Sequence, residues 1–213
     1  ATGFKPMMDL SDYRRFIQVV RDEIETTRVP ICLHLDHATT LDEIREAIDV
    51  GYSSVMIDAS LESWQVNLER TLETVALARP MGVSVEAELG HVMTGDGYYT
   101  RSDAHEMLTD PERAVEFVSL TEIDALAVAI GNVHGAYIGE PKIDFTRLKS
   151  LNAKTNIPLV LHGSSGIGAE NLKQTIQYGI RKINLYSEII RTMHERVKRT
   201  LEDSLTDPLQ VSR

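Results

Sequence analysis

Short apolar runs that end in chemically active side chains, separated by segments of helical periodicity, constrain this chain more than any other feature. The runs are residues 29–36 (VPICLHLD), 54–60 (SVMIDAS), 83–89 (VSVEAEL), 125–131 (ALAVAIG), 158–162 (PLVLH) and 182–186 (KINLY). They are close to continuously apolar rather than alternating, which suits strands covered on both faces. The spacing predicts helices over 10–27 (Phe16, Val19, Val20, Ile24), 41–50 (Ile44, Ala47, Ile48) and 65–78 (Val66, Leu68, Leu72, Val75, Ala76). Further helices are expected over 110–120, where Pro111 follows an Asp110 cap, over 169–178, and over 187–202 behind Ser187 as N-cap.

Strands alternating with helices imply parallel pairing and right-handed crossovers. An open doubly wound sheet and a (β/α)8 TIM barrel compete. No GxGxxG follows the first run, so the dinucleotide-binding form of the open sheet loses its main signature. Polar residues close nearly every run instead of gathering at one switch point, as an active site built from many strand ends requires. The barrel is therefore the expected fold, as a single domain over 1–213. Only six strands are found where a barrel needs eight, and barrels run to about 250 residues. Either the chain is part of a longer polypeptide, or the barrel reading fails.

Composition narrows the partners. A net charge of −10 is the wrong sign for a protein that neutralises nucleic-acid phosphates. No apolar stretch approaches the roughly 20 residues that span a bilayer. The single Cys32 excludes an internal disulfide framework and any Cys-cluster metal site, and with no basic, hydrophobic leader it suggests a reducing cytoplasm. An anionic substrate would have to be met locally, by a metal, backbone N–H groups or helix ends.

The strand ends carry such groups. In HLDH, His34 and Asp36 are two apart and share a strand face, with His37 at the mouth. A lone histidine is more often structural than a ligand. Here His134 follows one apolar run in GNVHG and His162 closes another in HGSSG. Three histidines at the mouths of parallel strands can converge on one ion, and three neutral imidazoles suit Zn²⁺ with an open position. His105 and His194, in charged surroundings, read as solvated surface. Carboxylates at buried strand ends are costly unless paired or metal-bound. For Glu86 an internal ion pair and a functional role weigh equally, whereas Asp58 and Glu88 are expected to face the histidines. The turns at 163–166 and 184–187, each leading into a helix, offer backbone donors for an anion.

In this order, HLDH, SVMIDAS, SVEAELG, LAVAIGNVHGAY, LVLHGSSGI and KINLYSE resemble the class II zinc-dependent ketose-bisphosphate aldolases, most closely the tagatose- and fructose-bisphosphate branch, over roughly residues 28 to 208. That family is a (β/α)8 barrel whose members begin with about two βα units ahead of the first helix here and continue past Pro208 into further helix. The resemblance therefore implies a domain that lacks its N-terminal βα units and C-terminal helix and belongs to a longer polypeptide. The resemblance implies His37, His134 and His162 as zinc ligands, Asp58 and Glu88 as ligands of a second or alternative metal position, and Asp36 as the acid/base at the substrate's C4 hydroxyl. It implies that Gly135, Gly163, Ser164, Ser165, Asn184 and Ser187 hold a dihydroxyacetone-phosphate moiety, with a monovalent cation (Na⁺ or K⁺) near Gly135 and Gly163. The implied substrate is a phosphorylated ketose, fructose- or tagatose-1,6-bisphosphate, handled by a cytoplasmic homodimer or homotetramer. Asp96 falls where a glutamate usually moves the C3 proton. Tyr186 and Ile138 depart from the fructose-specific pattern.

Three readings follow. The first is an aldolase, whose zinc would stabilise the enediolate left when C3–C4 breaks. The Schiff-base alternative needs a lysine ending a strand, and Lys182 opens one. The second is a zinc-dependent hydrolase barrel, disfavoured because His-Leu-Asp-His replaces an early His-x-His pair. The third is a non-catalytic homologue, against which the retained His37, His134, His162 and Asp36 speak.

Overall fold

The computed structural model describes residues 10–94, 107–135, 137 and 140–203. In chain order the elements are α1 (Leu10–Thr26), β1 (His34–Ala38), α2 (Leu41–Val50), β2 (Ser54–Ile57), α3 (Trp64–Ala78), β3 (Ser84–Leu89), β4 (Met93–Thr94), α4 (Pro111–Thr121), β5 (Ala125–Val128), β6 (Val133–His134), α5 (Phe145–Thr155), β7 (Leu159–Leu161), α6 (Ala169–Gln177), β8 (Ile180–Ile183) and α7 (Ser187–Asp203).

Local chemistry sets the helix ends. Thr40 and Glu43 form a reciprocal capping box on α2, whose C-cap Gly51 is left-handed at φ 95°. Ser63 caps α3, and Asp110 accepts from the backbone N–H groups of Glu112 and Arg113, with Pro111 at the start of α4. The run 145–155, to which the sequence reading gave no helix, forms α5. Asp144 caps it, and Leu148, Leu151 and Thr155 are its buried residues.

The main sheet is wholly parallel in the order β1-β2-β3-β5-β7-β8, so each strand lies beside its predecessor in the chain. This sequential order has no switch point, which removes the doubly wound alternative and gives a run of βα units with the winding of a TIM barrel. Consecutive helices from α1 to α6 pack on one another. The outward side chains Leu35, Val55, Ile57, Val85, Ala87, Leu126, Val128, Leu159, Leu161 and Ile180 join the helices in one buried core. On the opposite face a smaller apolar layer, Met56, Ala127 and Val160, fills the concave side. The ends of the sheet approach through this interior: Lys182 on β8 bonds His34 on β1 at 3.0 Å. No described helix is long and apolar enough to cross a membrane.

Several strand boundaries differ from expectation, and β2 and β5 end at Ile57 and Val128, short of residues 60 and 131. β1 begins at His34, not at residue 29, and β8 spans Ile180–Ile183, placing Lys182 inside the strand rather than at its start. A two-residue parallel ladder also joins β4 to β6, pairing Met93 with Val133 and Thr94 with His134.

Phe117 on α4 is fully buried and meets Trp64 on α3 edge-on at 5.6 Å between ring centroids. Phe117→Ala should destabilise the protein by about 3–5 kcal/mol, through lost transfer energy and the cavity left behind. Leu120→Ala, at a half-exposed position of the same helix, should cost within about 0.5 kcal/mol. Urea unfolding of both variants checks this, and equal costs would place the helix interface elsewhere.

Candidate metal and substrate site

Alternation along the strands decides what reaches the interior. On β3, Val85, Ala87 and Leu89 lie in the outer core, so Glu86 and Glu88 point inward. On β1, Leu35 lies in the outer core and His34 and Asp36 point inward. Strict alternation would then send His37 outward. It does not, because His37 is left-handed (φ 52°) and β1 advances three residues, Leu35 to Ala38, while β2 advances two, Val55 to Ile57. This bulge turns the His37 ring back into the interior. His134 arrives on β6, and His162 directly follows β7.

The rings of His37, His134 and His162 lie 4.6–5.8 Å apart by centroid. One ligand atom from each, with one carboxylate oxygen of Glu88, falls within 4.8 Å of all the others, so this set could hold a metal ion. Asp58, expected among the ligands, stands outside the set. Its Oδ2 accepts from His37 Nδ1 at 2.7 Å and its Oδ1 accepts from Ser60 Oγ at 2.7 Å.

Donor chemistry tests whether a cation fits. His37 Nδ1 meets Asp58, and His162 Nε2 meets Glu86 Oε1 at 2.9 Å. A carboxylate only accepts, so these nitrogens carry the hydrogens. The remaining nitrogens, His37 Nε2 and His162 Nδ1, face each other at 2.8 Å. Two bare lone pairs repel at that distance, and a proton or a metal ion between them removes the conflict. Glu88 Oε2 is buried with no hydrogen-bond partner, 3.9 Å from His162 Nδ1. A buried carboxylate oxygen left without a partner is costly, and a cation here would satisfy it. The residues fit a metal, with acceptor-only carboxylates behind two of its imidazoles.

The electrostatics agree. Burial alone would lower His37, but the Asp58 hydrogen bond and the charges of Asp36 and Glu88 outweigh it and raise His37 to about 8. Burial and then the Asp58 charge push Glu88 up to about 7. Burial, with His37 and His162 nearby, lowers His134 to about 4. Burial would raise Asp58, yet its bonds from His37 and Ser60 hold it below the usual carboxylate range.

Asp36 lies beside the histidines: its charge acts on both His37 and His134, and Asn184 Nδ2 donates to its Oδ1 at 3.1 Å. The two candidate anion turns are tied to each other. Ser164 Oγ donates to the Asn184 carbonyl at 2.5 Å, and Ser165 Oγ accepts the Glu188 backbone N–H at 3.2 Å. Ser187, expected as a cap, is instead the first residue of α7 and is exposed. Gly135 and Gly163 both have positive φ. A Cβ at Gly163 would sit 2.2 Å from the Val133 carbonyl oxygen, so only glycine lets these two segments approach so closely.

Sequence reasoning passed over several residues near the site. His91 Nδ1 lies 3.0 Å from Ser60 Oγ and 3.9 Å from Glu88 Oε1, and nothing in the HVMT run marks it. The Tyr137 hydroxyl donates to the Gly163 carbonyl at 2.8 Å, bracing the turn. Asn132 donates to the His162 carbonyl at 2.9 Å. His194 is exposed, as expected. Asp96, His105 and Ile138 lie outside the described residues.

Sequential parallel βα units with a possible metal-ligand set at the C-terminal ends of the strands define a barrel-type protein with a candidate metal centre. The profile of the family described as Fructose-bisphosphate aldolase class-II matches residues 4–213, and the chain belongs to that family. The crystal structure of the YdjI aldolase from Escherichia coli K12 is similar at a TM-score of 0.84 and 34% identity, covering 99% of this chain and 72% of that one. A putative fructose-1,6-biphosphate aldolase from Coccidioides immitis is similar at 0.76 and 35%, covering 87% of this chain and 66% of that one. The fructose-bisphosphate aldolase of Campylobacter jejuni shares the fold at 0.73 and 24% identity, covering 90% of this chain and 62% of that one.

The raised values of His37 and Glu88 predict how a metal binds. Both groups hold protons below about 8 and about 7 respectively, and a metal must displace them. His134, at about 4, has none to lose near neutrality. Apparent zinc affinity should therefore rise with pH, about tenfold per unit between pH 7 and 8 and more steeply below 7, then flatten. Calorimetry across buffers of different ionisation enthalpy should show proton release at pH 7. Affinity unchanged between about pH 6 and 8 would show that these groups do not bind the metal.

Proposed function

We propose that this protein is a zinc-dependent class II aldolase that cleaves, and in reverse condenses, a ketose 1,6-bisphosphate of the fructose or tagatose type to dihydroxyacetone phosphate and an aldehyde phosphate. The observation that carries the reading is the convergence of His37, His134, His162 and Glu88 within 4.8 Å, beside Asp36. Family membership supports carbon–carbon lyase chemistry on a phosphorylated sugar.

His37, His134 and His162 hold the zinc, with Glu88 as a further or alternative ligand. Bound there, zinc supplies Lewis-acid stabilisation of the negative charge that builds on the ketose half as C3–C4 breaks. Asp36 takes the C4 hydroxyl proton in cleavage and returns it in condensation. Asn184, bonded to Asp36 Oδ1, orients that carboxylate. Asp58 serves His37 from behind rather than as a ligand in this arrangement. Phosphate rests on the backbone N–H groups of the turn holding Gly163, Ser164 and Ser165 and of the turn from Asn184 to Ser187. That arrangement suits a chain of net charge −10 with no basic cluster in either turn. A Na⁺ or K⁺ ion near Gly135 and Gly163 would help hold the phosphate, and Asp96 is the candidate for moving the C3 proton.

Asp36→Asn keeps the side-chain shape but removes the proton acceptor. It should lower cleavage by about 10²–10⁴-fold while zinc stoichiometry stays at the parent value. A coupled assay for triose phosphate release from fructose- and tagatose-1,6-bisphosphate, with metal analysis of the same samples, measures both. Near-parent turnover in a zinc-replete variant would remove Asp36 from the chemistry. A parent protein that binds zinc but releases no triose phosphate from either sugar would defeat the aldolase reading.

A further inference from the structure

Beneath the candidate metal ligands lies a buried polar layer that the proposed chemistry does not use. Lys182 Nζ bonds Glu86 Oε2 at 2.6 Å and His34 Nε2 at 3.0 Å. His34 Nδ1 meets Ser54 Oγ at 2.8 Å, and Glu86 Oε1 meets His162 Nε2 at 2.9 Å. The Glu86 side chain is 3% exposed and that of His162 is 0%. Lys182 only donates, so it fixes Glu86 Oε2 and His34 Nε2 as acceptors. A buried carboxylate is strongly disfavoured without a counter-charge, and Lys182 is the cation in contact with this one.

His162 Nε2 has a second neighbour, Asn184 Nδ2, at 3.2 Å. The same amide nitrogen donates to Asp36 Oδ1 at 3.1 Å, which fixes the amide's orientation because a carboxylate cannot donate. The two neighbours of Nε2 therefore ask opposite things of it. Glu86 requires Nε2 to carry the hydrogen, leaving Nδ1 bare toward His37 and Glu88. Asn184 alone would make Nε2 an acceptor and move the hydrogen to Nδ1, the nitrogen that faces the other ligands.

We propose that Lys182 and Glu86 are a positioning pair that selects the tautomer of His162, so that its Nδ1 lone pair is presented to the metal and Asn184 is kept for Asp36. The inference rests on the metal-site reading above, and it assigns Lys182 a role through Glu86 rather than any contact with substrate. Removing the pair should leave His162 with its hydrogen on Nδ1 and weaken zinc binding by about 10–100-fold, the usual consequence of losing the group behind a metal-bound histidine.

The test compares the full chain with Lys182→Met and with the double variant Lys182→Met/Glu86→Leu. The double variant removes both charges together and leaves no buried ion unpaired, so it reports on the pair even if the single variant fails to fold. Two readouts are taken: the His162 tautomer by long-range ¹H–¹⁵N correlation of chelator-treated protein, and zinc affinity by competition with a chromogenic chelator. The parent should show Nε2–H, and the folded double variant should show Nδ1–H with zinc affinity lowered about 10–100-fold. Lys182→Met should show the same change, because Glu86 without its cation takes up a proton and donates it to Nε2. A folded double variant with the parent tautomer and parent affinity would overturn the proposal. Should the parent bind no zinc, the metal-site reading falls, and the tautomer comparison still decides the pair.

Discussion

A strand sends successive side chains to opposite faces, and the candidate site depends on one place where β1 breaks that rule. Leu35 obeys it and anchors β1 in the outer core, and His34 and Asp36 obey it from the inner face. His37 would follow Leu35 outward if the backbone stayed extended. Its left-handed conformation, and the residue by which β1 outruns β2, bring Asp36 and His37 into the same interior although they are adjacent in sequence. A non-glycine residue in that region carries strain, which the Asp58 bond to Nδ1 helps to offset. The acid/base candidate and a metal-ligand candidate are neighbours because of this bulge.

Around it, the inner face is divided by polarity. Met56, Ala127 and Val160 are small or flexible and fill the curved sheet without competing for hydrogen bonds. Above them the carboxylates are matched: Glu86 takes Lys182 and His162, and Asp58 takes His37 and Ser60. Glu88 is the exception, with one oxygen bonded to the Val92 N–H and the other without a hydrogen-bond partner. That imbalance marks Glu88 as a site for a cation. Burial raises Glu88 and lowers His134, so the pair approach neutrality from opposite directions before any metal arrives.

Much of this was legible in the sequence. Apolar runs located the strands of the sheet, and their polar ends located His37, Glu88, His134 and His162, because a buried strand tolerates such residues only where something binds them. The α5 helix was not legible, since FTRLKSLNAKT offers only Leu148 and Leu151 as a thin apolar stripe between charged residues. The extent of β8 was displaced by two residues because Arg181 and Lys182 look like a boundary, whereas Lys182 is drawn inside by Glu86. The place of Asp58 behind His37 was hidden too. Spacing along a chain says which face a carboxylate takes, not which atom of a neighbouring ring it will meet. His91 and Tyr137 act through contacts between distant loops, for which local patterning holds no signal.

The short ladder between β4 and β6 has a mechanical consequence. Thr94 and His134 are register partners, so the segment leaving β3 is clamped by main-chain bonds to the residue whose imidazole pKa is lowered by burial to about 4. Gly90, whose added Cβ would lie 2.6 Å from the Met107 carbonyl oxygen, pins the near end of the same segment against the chain that returns toward α4. Held by backbone at both ends, residues 90–94 fix where His134 stands relative to the end of β3.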